Sequence, residues 1–211
     1  MDQKMAQDWP YLNKYKKANA LLENIFPEKD RIVFMGDSIT EFWAAHHPDF
    51  FKENKYINRG ISGQTTPQML VRFRADVINL KPKVVVLLAG ANDIAENTGP
   101  SSLEMITNNI FSMAELAEAH DIKVILCSVL PALFFPWNPK IDPADKILNL
   151  NKMIQKYATE KAHLYLDYYS DMVDAKNGLV EAYSDDGMHP NKTGYEIMIP
   201  LVKVAIAEVL S

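Results

Sequence analysis

The sequence predicts an α/β fold, a parallel β-sheet covered by helices on both faces. Three observations predict it. Strand-like and helix-like segments alternate along the 211-residue chain, the order that parallel strand–helix–strand units require. Val84 to Leu88 is a continuous apolar run, as a strand buried on both faces needs. Helix-start signals such as Thr66-Pro67 recur between the runs. The length fits one large domain or two small ones. Burying roughly 70% of its unfolded surface would keep such a chain folded without disulfides or metal.

The elements follow in order. Pro10 to Ile25 reads as a helix, because Leu12, Tyr15, Leu22 and Ile25 recur at helical spacing and Pro27 ends it. Arg31 to Met35 is the first strand, Ser38 to His46 a helix, and Tyr56 to Asn58 the second strand. Thr66 is expected as an N-cap, with Pro67 at the first position of a helix running to Leu80. Val84 to Leu88 is the third strand. Ser101 and Glu104 have capping-box spacing, and Leu103, Ile106, Ile110, Met113 and Ala117 then share one helical face. Lys123 to Val129 is the fourth strand, followed by a loop rich in proline and aromatics, Pro131 to Asp142. A helix from Pro143 to Thr159 and a fifth strand from His163 to Asp167 come next. Thr193 with Glu196 is expected to cap a last helix reaching Val209, kinked by Pro200. Residues 31–211 are expected to form the domain, with residues 1–30 a helical extension packed on it.

Composition narrows the function classes. There are 22 Lys and Arg against 27 Asp and Glu, a net charge of −5, so the chain is a poor binder of nucleic-acid backbones. Cys127 is the single cysteine, which rules out an internal disulfide and a cysteine-based zinc site. No apolar run approaches the ~20 residues that span a bilayer. Met1 to Pro10 lacks the apolar stretch of a signal peptide. The expected location is cytoplasmic for the sequence as it stands, and secreted or periplasmic if a leader has been removed. The oligomeric state is left open.

Ligands of such sheets sit at the carboxyl ends of the strands, and four loops there carry chemistry. Ser38 follows the first strand at a helix start, where N–H groups and the helix dipole favour an oxyanion. It also heads Ser38-Ile39-Thr40-Glu41, a capping-box pattern. Asp186 and His189 are three residues apart, so a carboxylate can fix the imidazole tautomer while the other ring nitrogen takes a serine proton. Asp186-Gly187 equally reads as a turn. Asn92 can donate to an oxyanion or serve as a turn residue. Gly63 can offer a bare N–H or simply turn the chain. Together they make the parts list for acyl transfer: nucleophile, base, orienter and oxyanion donors.

These blocks resemble those of the SGNH, or GDSL-type, hydrolases. They are Gly36-Asp37-Ser38-Ile39-Thr40, Asn58-Arg59-Gly60-Ile61-Ser62-Gly63, Gly90-Ala91-Asn92-Asp93 and Asp186-Gly187-Met188-His189-Pro190. They occur in family order over almost the whole chain, with Ile39 where leucine is frequent. The stretch from Gly60 to Thr66 is similar to the platelet-activating-factor acetylhydrolase subgroup and related bacterial acetylesterases. The resemblance implies a three-layer α/β/α sandwich with a five-stranded sheet in the flavodoxin-like order 2-1-3-4-5. It implies ester hydrolysis without metal or other cofactor, by Ser38, Asp186 and His189. The oxyanion donors are then the N–H groups of Ser38 and Gly63 and the amide of Asn92.

Other residues are weighed against this set. No G-x-S-x-G elbow is present, which argues against an α/β-hydrolase, and Ser62 has the wrong glycine spacing for one. His46 and His47 are adjacent and do not share a helix face, so a metal site there is disfavoured. His120 and His163 suit capping or surface roles, and Cys127 an inert core position. Asp37 and Asp93 flank the site, and Asp37 is a candidate substrate contact. Phe134, Phe135 and Trp137 are expected to overhang the site and stack on a sugar or pack an acyl chain. Phe42 and Trp43 are expected in the core. At this length no separate lid domain is expected, so the expected substrate is a short acyl ester, acetyl on a saccharide or alcohol. The alternatives are a lysophospholipase or thioesterase acting on longer chains, and a catalytically silent binding module on the same fold.

Overall fold

The computed structural model describes residues 8–23 and 31–211. Its sheet has five parallel strands in the order β2-β1-β3-β4-β5, the order the resemblance implies. They are β1 (Ile32–Gly36), β2 (Ile57–Gly60), β3 (Val84–Leu88), β4 (Lys123–Cys127) and β5 (Leu164–Leu166). Every residue of β1 and β3 is buried, which explains their unbroken apolar runs. Val33 stands opposite Ile57 on one side and Val85 on the other.

The helices are α1 (Lys16–Glu23), α2 (Ser38–His46), α3 (Pro48–Glu53), α4 (Thr66–Asp76), α5 (Ala91–Ile94), α6 (Leu103–Glu118), α7 (Ala144–Glu160), α8 (Tyr169–Met172) and α9 (Lys192–Leu210). α4 packs on α6 and α6 on α7, whereas α2 packs on α9. Gly60 permits α2 to press on the end of β2, since a Cβ there would lie 2.2 Å from the Glu41 nitrogen.

Several boundaries differ from the sequence expectation, each for a local reason. α1 begins at Lys16 rather than Pro10. The Asp8 carboxylate accepts the N–H groups of Leu12 (2.8 Å) and Asn13 (2.9 Å), and Tyr11 has a left-handed φ of 57°, so a capped turn precedes the helix. Ile25 and Pro27 lie outside the described residues. Thr65, not Thr66, caps α4, which stops at Asp76 and passes into a single 3-10 turn, Ile78–Leu80. β4 ends at Cys127 because the Asn151 side chain takes both the N–H (2.8 Å) and the carbonyl (2.9 Å) of Val129. Ser102 rather than Ser101 caps α6, accepting from Met105 N at 3.2 Å. Asn191 rather than Thr193 caps α9, accepting from Gly194 N at 3.0 Å. α9 runs through Pro200 to Leu210.

Candidate active site

The carboxyl end of β1 delivers Asp37 and then α2. Asp37 is the N-cap: its Oδ1 accepts the Ile39 N–H at 3.0 Å. Ser38 is therefore the first helical residue and not a cap, and the expected capping box with Glu41 does not form. Glu41 instead accepts the Ser62 N–H at 2.6 Å and pairs with Lys14. Relieved of capping, the Ser38 hydroxyl lies 3.0 Å from His189 Nε2. The Ser38 N–H, in the first helical turn, has no carbonyl to bond within the helix.

His189 arrives from a tight turn before α9. Asp186 organises that turn by accepting the N–H groups of Met188 (2.9 Å) and His189 (2.7 Å) on Oδ1. Its Oδ2 stands 2.7 Å from His189 Nδ1. Partial burial alone would raise the Asp186 pKa, but the bonds from the His189 ring and from these backbone N–H groups outweigh it and hold the carboxyl down at about 2. A carboxylate can only accept, so Nδ1 carries the imidazole proton and Nε2 is free to accept from Ser38. Ser184 ties the turn shut, accepting from Gly187 N (2.9 Å) and donating to the His189 carbonyl (2.7 Å).

Gly63 and Asn92 line the same cavity as Ser38. Gly63 follows β2 at φ 76°, a left-handed conformation that favours glycine. Asn92 lies buried in α5, its Nδ2 donating to the Gln64 carbonyl at 3.1 Å. The second hydrogen of that amide is left for the cavity. Asn97, a residue the sequence did not single out, donates to Asn92 Oδ1 (2.8 Å) and to the Gly63 carbonyl (3.1 Å). Its own Oδ1 accepts the Trp137 indole N–H at 2.8 Å. The one available signal was its position five residues beyond Asn92 in the same post-strand turn. A cavity of about 240 Å³ lies among Ser38, Gly63, Asn92, Asn97, Trp137 and His189.

The aromatic candidates separate. Trp137 is 43% exposed, its ring 5.9 Å from that of His189. Phe134 is exposed beside Gly187. Phe135 is fully buried and belongs to the core, so it does not overhang the site. Phe42 is exposed rather than core, with its ring 5.4 Å from His189. Trp43 is buried, stacked between Phe50 and Tyr195. Tyr195 also donates to the Ile39 carbonyl at 2.7 Å, tying α9 to α2.

Asp37 is fully buried and presents no surface to a substrate. Burial pushes its pKa up to about 6, against the Ile39 N–H and the nearby His189, which favour the charged form, while Asp93 adds to the rise. Burial likewise pushes Asp93 up to about 6, against hydrogen bonds from the Thr66 hydroxyl (2.6 Å) and N–H. His47 Nε2 lies 3.0 Å from the Lys192 carbonyl, and His120 Nδ1 2.8 Å from that of Leu116. Cys127 is buried, its thiol pKa raised by desolvation. Among the described residues no group of three His, Cys, Asp or Glu converges as metal ligands would, and no helix is long and apolar enough to cross a membrane.

The chain is similar to known proteins. A candidate acylhydrolase from Bacteroides fragilis superposes with a TM-score of 0.94 and 50% identity, over 97% of this chain and 99% of that one. Esterase TesA of Pseudomonas aeruginosa is 28% identical over 75% of this chain and 79% of its own length. The human platelet-activating factor acetylhydrolase IB subunit alpha2 is 30% identical over 47% of this chain and 44% of its own. The chain spans about half the length of the curated relatives it matches at 30% identity or more. The profile of the GDSL-like lipase/acylhydrolase family matches residues 34–197, and the chain belongs to that family of carboxylic ester hydrolases.

Proposed function

We propose that this chain hydrolyses esters through an acyl-enzyme on Ser38, releasing a short acyl group, acetyl, from an alcohol or saccharide. The observation that carries the reading is the hydrogen-bonded line from Ser38 Oγ through His189 to Asp186, at 3.0 and 2.7 Å. Ser38 Oγ attacks the ester carbonyl carbon as its proton passes to His189 Nε2. The resulting oxyanion takes the N–H groups of Ser38 and Gly63 and the free hydrogen of the Asn92 amide. Collapse breaks the bond to the alcohol, which leaves with the proton from His189. Water, deprotonated by His189, then cleaves the acyl-enzyme and frees the acid. Asp186 fixes the imidazole tautomer and stabilises its cation.

The small cavity supports a short acyl group, and the names of the TesA esterase and acetylhydrolase relatives support ester and acetyl chemistry. An intact serine, histidine and aspartate in bonding distance speaks against a silent binding module. Exposed Phe134, beside Gly187 of the His189 turn, favours the alternative of longer acyl chains. p-Nitrophenyl esters from acetyl to palmitoyl decide between them, with highest kcat/KM expected at acetyl. Ser38→Ala should abolish turnover and labelling by a fluorophosphonate probe; a variant as active as wild type would sink the assignment.

A further inference from the structure

A second depression, of about 440 Å³, adjoins the active-site cavity and shares Ser62, Gly63, Asn97 and Trp137 with it. Its size falls within the ~300–1,000 Å³ of small-molecule sites. It touches neither Ser38 nor His189. One wall is the N-terminal turn that carries Tyr11, which lies outside the family-matched segment 34–197. That turn is firmly anchored. Gln64 donates its amide to the Pro10 carbonyl (2.9 Å), and Gln68 donates to that of Trp9 (2.8 Å).

Two residues lining this depression, Tyr11 (φ 57°) and Glu96 (φ 60°), hold left-handed backbone that residues other than glycine rarely adopt. The chemistry of the lining is specific. Tyr11 brings a phenol, Glu96 a carboxylate, Ser62 and Thr98 hydroxyls, and Trp137 an indole. Among the described residues no Val, Leu, Ile, Met or Phe lines the depression, so an alkyl chain would find no apolar bed there. An indole beside hydroxyl and carboxylate groups suits a sugar ring, whose C–H face is apolar and whose rim is hydroxylated.

We propose that the groove between Tyr11, Glu96 and Trp137 is a saccharide subsite, holding the sugar ring next to the one that carries the scissile ester. The inference rests on the ester-hydrolase reading of Ser38 and His189. It makes the substrate an acylated oligosaccharide rather than an acylated monosaccharide or a lipid, and it gives the N-terminal turn a role in specificity.

The test compares acetylated xylose with acetylated xylotriose, and acetylated glucose with acetylated cellotriose, alongside p-nitrophenyl acetate. For at least one sugar, the oligosaccharide ester should be hydrolysed with a kcat/KM about tenfold above the monosaccharide ester. The near-isosteric variants Tyr11→Phe and Glu96→Gln should cut that ratio by about threefold and about tenfold, through KM. Equal kcat/KM for the two chain lengths in both sugars overturns the subsite, as does a ratio that neither variant moves. A wild-type chain inert towards p-nitrophenyl acetate overturns the proposed activity instead. The subsite is then decided by tryptophan fluorescence with free xylotriose and cellotriose: quenching weakened by both variants supports it, and no change with either sugar overturns it.

Discussion

The Asn97 side chain donates to Asn92 Oδ1 at 2.8 Å, and with the Gln64 carbonyl, which accepts from Asn92 Nδ2, it fixes which way the Asn92 amide faces. With Oδ1 turned towards Asn97, the NH₂ group is committed to the Gln64 carbonyl and the active-site cavity. Asn97 is thus a positioning residue. Asn97→Ala should lower kcat for p-nitrophenyl acetate by about tenfold with little change in KM, less than the ~10²–10³ of a lost oxyanion donor. Asn97→Asp should be worse, because a carboxylate can only accept and invites the Asn92 amide to turn over. Equal rates for wild type, Asn97→Ala and Asn97→Asp would refute this role.

Asp186 orients the imidazole through both its ring and its backbone N–H. Asp186→Asn can donate to Nδ1 and so favours the wrong tautomer. Turnover should fall by about 10⁴-fold, as in serine triads generally. Stopped assays of p-nitrophenyl acetate at high enzyme concentration would measure it. A loss under tenfold would place the orienting group elsewhere.

Gly63 can be tested without disturbing the core. A Cβ there meets nothing closer than Asn97 Nδ2 at 3.9 Å, yet φ 76° costs an L-residue about 1–2 kcal/mol. Gly63→Ala should therefore fold, with a Tm lowered by a few degrees, while relief of the strain swings its N–H away from the oxyanion and depresses kcat. Unchanged kcat would remove Gly63 from the oxyanion donors.

Asp37 gives a pH-dependent stability with a definite sign. Its folded pKa, about 6, lies above the ordinary carboxyl value because burial penalises the charge. Its contribution to stability is full below pH ~4 and is lost as pH rises through about 6. Asparagine caps helices as well as aspartate does, so Asp37→Asn keeps the bond to Ile39 without the buried charge. The gain in Tm over wild type should be larger at pH 8 than at pH 4.5. A gain independent of pH would show that the charge is not the cause.

Strands were legible because burial on both faces leaves continuous apolar runs, as in Val84 to Leu88; their order followed from the family resemblance, since an apolar run does not say which strand lies beside it. Ser38, Asp186 and His189 were legible because they stand at strand ends and helix starts within short motifs. Capping residues were displaced by one or two positions at Asp37, Ser102 and Asn191. Ser, Thr, Asp and Asn all satisfy the same orphan N–H groups, so neighbouring candidates cannot be ranked from sequence. Phe135 could not be told from Phe134 and Trp137, because neighbouring side chains in an irregular loop face opposite ways without periodicity. Asn97 was missed for the same reason: its importance lies in orientation within a turn, and no spacing rule reports that.

Ser38 and His189 meet although 151 positions separate them, and the tie between Tyr195 and Ile39 spans 156. A chain emerging from the ribosome therefore has all five strands synthesised before His189, the proposed base. Esterase turnover should appear only once the turn at Asp186 and the first part of α9 have been synthesised and have docked on α2. In refolding, recovered activity then reports the docking of α9 rather than formation of the sheet.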